Sequence, residues 1–112
     1  MRTPYPPLET ELAAERAATL GRNGRRLQSA LERVREFDRG AGRERPVGPA
    51  AAQSAERARL LDLAAEAFFC LIVQRESLGL VDADRVAADY GVSREILTRV
   101  GIYRVARRSR AG

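Results

Sequence analysis

Lysine, histidine and tryptophan are absent from this 112-residue chain, cysteine occurs once, and aromatic residues make up only 5% of it. Without histidine there is no Ser/His/Asp set, no Cys/His pair and no Glu-x-x-His di-metal motif. One cysteine rules out an internal disulfide and any cysteine-rich metal cluster, so a reducing cytoplasm is the expected compartment. The opening Met-Arg-Thr-Pro-Tyr-Pro-Pro has no apolar core of the secretory kind. The longest uninterrupted apolar run, Ala67 to Val73, is too short to cross a membrane. These absences lead us to expect a non-enzymatic protein with no cofactor, no metal and no membrane attachment.

Every base is therefore arginine, which a GC-rich coding bias explains better than a phosphate-reading specialisation, and the formal net charge is +5. Its location is more informative than its size. The last acid is Glu95, and beyond it Arg99, Arg104, Arg107, Arg108 and Arg110 stand unopposed. The excess thus lies at the C-terminus, with 103–112 as a basic tail that suits an anionic partner.

The pattern predicts a single all-α domain over 1–112. An extended N-terminus (1–7) precedes a long amphipathic helix from about Leu8 to Asp38. Along it Ala13, Ala17, Leu20, Gly24, Leu27, Leu31 and Val34 recur at steps of four and three, as in a coiled-coil seam. With alanine supplying much of the apolar content, the core is thin, and association adds stability to thin cores. A homo-oligomer is expected, a dimer first, with Ala17, Leu20, Gly24, Leu27, Leu31 and Val34 as its seam. Gly21-Arg22-Asn23-Gly24 leaves a second option, a turn dividing this helix in two, although the stride passes through Gly24 unchanged. Ala14, Ala17, Ala18 and Gly21 add a stripe of small residues for a close helix approach. Residues 39–54, with three glycines and two prolines, read as a flexible loop.

The stretch Leu60–Val73 reads as a buried central helix, opened by Ser54 or Pro49 and closed by Gly79. Only Asp62 and Glu66 interrupt its apolar character, four residues apart on one stripe, either solvated or paired with arginine. Cys70, between Phe69 and Leu71, reads as a core residue. Downstream, Asp82 is a good N-cap and Asp84 suits the first-turn dipole of a two-turn helix ending at Gly91. Ser93 then caps a last short helix, with Glu95 in its first turn and Gly101 at its end.

Residues 83–102 resemble the helix-turn-helix motif of DNA-binding regulators. Ala87 is the small residue where the two helices cross, and Gly91 makes the left-handed turn. Val86, Tyr90, Val92, Leu97 and Val100 stand where hydrophobic residues lock the pair. The resemblance implies that the second helix lies in the major groove, with Ser93, Arg94, Glu95, Thr98 and Arg99 facing DNA. Arg94 or Arg99 would fork onto guanine and Glu95 would accept from cytosine, with Arg104, Arg107, Arg108 and Arg110 adding phosphate contacts. Two short capped helices joined through glycine are equally an ordinary structural corner. In general character the whole chain also resembles small helical bacterial proteins with no assigned activity. Three readings follow: a dimeric DNA-binding regulator, a non-enzymatic oligomeric helical protein with a structural corner, and an adaptor whose arginines meet an acidic protein.

Overall fold

A computed structural model describes residues 6–43 and 48–101, all-α as expected. Helix α1 spans Pro6–Arg43, α2 Ala50–Ser77 and α3 Ala83–Tyr90, and α4 occupies 94–101. None of the described helices is long and apolar enough to cross a membrane.

The first helix is continuous through Gly21 and Gly24 and longer at both ends than its pattern predicts. Pro6 and Pro7 are helical rather than extended because a first turn does not use the N–H that proline lacks. Residues 1–5 lie outside the described residues. At the other end Gly40 and Gly42 do not stop the helix: each glycine costs about 1 kcal/mol, and Arg39 bonds back to Glu32 and Glu36 across the preceding turns. The expected loop over 39–54 is correspondingly shorter. Residues 39–43 belong to α1 and 50–54 to α2, while 44–47 lie outside the described residues. Pro49 caps α2, its carbonyl accepting from the Gln53 N–H at 3.1 Å.

The apolar run of α2 resolves into two adjacent rows. Leu60, Ala64, Ala67 and Leu71 follow one another at steps of four and three, and Leu61, Ala65, Phe68 and Ile72 do the same beside them; all eight are buried. Leu60 lines one cleft with Phe37 of α1, whereas Phe68 lines another with Ala83, Leu97 and Val100 of the C-terminal corner. One helix therefore serves two neighbours, which is why so little of its sequence is polar. Asp62 and Glu66 occupy the remaining exposed side, and both hold arginines: Arg99 on Asp62 at 2.6 Å and Arg26 on Glu66 at 3.4 Å. Cys70 is half-buried at the α1–α2 edge, 3.8 Å from Arg26 Nη1, and not in the core.

The chain leaves α2 as the sequence leads one to expect. Gly79 takes φ 83°, and the Leu80 N–H bonds back to the Arg75 carbonyl at 3.0 Å, closing the helix end. Asp82 does not cap α3 with its side chain; the carboxylate instead accepts from Arg75 Nε at 3.0 Å. A charged partner outcompetes the backbone N–H groups there, so the α2–α3 connection is tied by a side-chain pair.

The supposed dimer seam is largely an internal one. Leu27, Leu31 and Val34 are buried in the core shared with α2, and Gly24 is buried as well. Leu20 is half-buried at the edge of this core, while Ala13 and Ala17 are exposed. The reason is length. Asn23 bonds Gln74 at 2.7 Å, so α2 stops about one turn farther on, and α1 continues without it. From Leu8 to Ala18 every residue of α1 is exposed.

Candidate nucleic-acid interface

The corner formed by α3 and α4 has the backbone its sequence predicts. Gly91 adopts φ 72° and ψ 41°, the left-handed conformation, and the Val92 N–H returns to the Ala87 carbonyl at 2.9 Å. The Ile96 N–H donates to Ser93 Oγ at 3.3 Å, so Ser93 caps α4. Val86, Ala87 and Val100 are buried, and Tyr90 and Val92 pack half-buried against the core.

Leu97 departs from the expected packing. It is 38% exposed, whereas its neighbour Ile96 is 2% exposed and belongs to the core. With Val100 still buried, the helix is therefore rotated by about half a residue step, roughly 50°, from the orientation the motif resemblance implies. Gly101 remains helical.

The same rotation turns two of the five expected contact residues towards α2. Glu95 accepts from Arg57 at 2.8 and 3.1 Å, and Arg57 also holds Asp38 of α1 at 2.9 Å. Arg57 thus ties three helices together at one point. Arg99 is spent on Asp62. Ser93 caps, and Thr98 Oγ1 donates to the Arg94 carbonyl at 2.9 Å. Of the five, the Arg94 side chain alone has no ion-pair or hydrogen-bond partner among the described residues; with Leu97, Thr98 and Gly101 it makes one exposed stripe on α4. Arg104, Arg107, Arg108 and Arg110 lie outside the described residues, as does all of 103–112. Sequence reasoning missed Arg57. Its position on the flank of α2, level with Asp38 and Glu95, is a tertiary fact that no local pattern carries.

Charge compensation is the rule over the described surface. The Arg57 guanidinium holds the Glu95 carboxyl below its ordinary value of 4.5, and Arg75 does the same to Asp82, whose ordinary value is 3.8. Arg39 and Arg59 depress Glu32 and Glu56 likewise. The guanidiniums of Arg57 and Arg75 are in turn raised, chiefly by hydrogen bonds to Glu95 and Asp82. A carboxyl depressed in the folded state contributes stability above its unfolded pKa and loses it as pH falls through the folded value. The protein is therefore expected to lose stability on the acid side of the ordinary carboxyl range. Urea midpoints followed from about pH 7 to about pH 2 test this. Arg57→Gln should lower the midpoint at neutral pH and flatten the acid limb; an unchanged limb would show that the three-helix tie contributes nothing.

No group of three or more Cys, Asp or Glu side chains among the described residues is arranged to hold a metal ion. The clefts at Glu76, Val81 and Arg85 and at Ser29, Arg33 and Phe37 are open surface features. Comparison of the chain with protein-family models, curated proteins and solved structures gave no match.

Proposed function

We propose that this is a non-catalytic helical protein that works by association, and that its C-terminal corner braces the α1–α2 hairpin instead of reading DNA. The observation that carries the reading is the pair of ties from α4 to α2, Glu95 to Arg57 and Arg99 to Asp62. A recognition helix needs its leading polar side chains free for base edges. Here two of them hold the helix to its own core. The charge balance agrees: the arginines of α4 and its surroundings are matched by nearby acids, leaving Arg94 as the exception.

A second reading is kept because of that exception. The stripe of Arg94, Leu97 and Thr98 is exposed and runs in sequence towards the unopposed arginines, so a narrower DNA contact than the motif implies has a physical basis. Fluorescence anisotropy of selected and random duplexes against salt decides between them. The bracing reading expects no sequence preference and no effect of Arg94→Ala on what binding there is. A reader of DNA would lose about 1–3 kcal/mol on its preferred site with Arg94→Ala. Truncation after Tyr103 would then weaken all duplexes alike and flatten the salt slope by up to about 3–4 units.

A further inference from the structure

The uncovered beginning of α1 is not a simple apolar stripe. Leu8 and Leu12 are 54% and 42% exposed, and Glu9 and Arg16 lie on the face that, farther along the helix, meets α2. Neither Glu9 nor Arg16 has an ion-pair partner among the described residues. A charged pair on a core-facing stripe that nothing covers calls for an explanation.

Symmetry supplies one. The middle of the uncovered stretch falls at Leu12 and Ala13, and Glu9 and Arg16 stand at equal distances on either side of it. Turned about a two-fold axis through that midpoint, a second copy of α1 runs antiparallel and lays its Arg16 against Glu9, and its Glu9 against Arg16. Leu12 then meets Ala13 of the second copy, and Ala13 meets its Leu12. The same patch is thereby complementary to itself, the requirement for a closed two-fold contact.

The ends fit as well. The α2 helix stops about where α1 loses its cover, so the second copy's α1 would begin where α2 ends and continue its layer. It would also approach the link between α2 and α3, where Leu78, Leu80 and Val81 are 39%, 40% and 91% exposed. The exposed large apolar residues of the described chain, Leu97 apart, lie on these two stretches.

We propose that the protein forms a two-fold antiparallel dimer through roughly the first three to four turns of α1, with Glu9 of each copy paired to Arg16 of the other. This deepens the reading of the chain as an association protein by naming its partner and surface, and it replaces the seam expected from sequence, whose larger residues are buried inside one copy. The contact spans only about 20 Å of helix, so a dimer that dissociates on dilution is expected.

Sedimentation equilibrium from about 1 to 200 µM on the full chain tests it. Glu9→Arg or Arg16→Glu alone sets two like-charged pairs against each other and should weaken dimerisation by about tenfold. The double variant Glu9→Arg/Arg16→Glu should restore it, and so should mixing the two single variants. Circular dichroism confirms that each variant folds, since both positions are exposed. A wild-type chain that stays monomeric throughout overturns the proposal, as does a dimer indifferent to the single exchanges. Sequence-specific DNA binding by a dimer of this kind would instead overturn the bracing function and leave the contact standing.

Discussion

Phe68→Ala is expected to lower the unfolding free energy by about 3–5 kcal/mol, the largest effect of any single truncation to alanine in the core. Phe68 is 3% exposed, and it belongs to the row of α2 that faces the corner. It lines one pocket with Ala83, Leu97 and Val100 of the corner, so its removal enlarges a space that those residues already leave open. Part of the cost is lost transfer from water, and part is the cavity left behind. Chemical denaturation monitored by circular dichroism gives the value. A loss below about 1 kcal/mol would mean that α3 and α4 collapse onto α2 without penalty, and that the corner braces nothing.

The second large effect is a reversal of sign at Gly24. A β-carbon there would lie 2.7 Å from the Tyr90 hydroxyl oxygen and 3.8 Å from Cζ. Gly24 is thus glycine because the tip of the Tyr90 ring reaches the α1 backbone. In the wild type, Gly24→Ala gains about 1 kcal/mol of helix propensity and meets an overpacking cost of about 1–3 kcal/mol, so it should destabilise or at best break even. In a Tyr90→Phe background the nearest obstacle is gone, and the same substitution should stabilise by up to about 1 kcal/mol. Four denaturation curves close the cycle. An identical effect of Gly24→Ala in both backgrounds would show that the tyrosine simply moves aside.

The parts of the fold that could be read in the sequence are those set by neighbours along the chain. The left-handed Gly79 and Gly91, the Ser93 cap and the burial of most apolar residues between Leu60 and Ile72 each follow from local chemistry. So does the continuity of α1, because the four-three stride passes through Gly24 without a shift. What could not be read is what each face meets. Leu27, Leu31 and Val34 have the spacing of an intermolecular seam, but the same spacing serves an intramolecular hairpin, and only the position of α2 decides. Ile96 and Leu97 are adjacent and equally apolar, so the rotation of α4 depends on the arginine ties to α2. Those ties join residues 37 and 38 positions apart. Asp82 has the chemistry of a cap, and Arg75 takes it for another use.

The ladder of contacts between α1 and α2 also sets an order of assembly. The Asp38–Arg57 tie closes 19 residues, the Arg26–Cys70 contact 44 and the Asn23–Gln74 bond 51. Loop-closure entropy makes the last of these costlier than the first by about 1 kcal/mol when each forms alone. Once the end nearest the turn has paired, each further step closes only a short loop. The hairpin should therefore zip from Arg57 towards Gln74, with the corner docking onto the exposed row of α2 afterwards. Tyr90, arriving late in the chain, reaches Gly24 at the far end of the zipper and closes the two helices behind it.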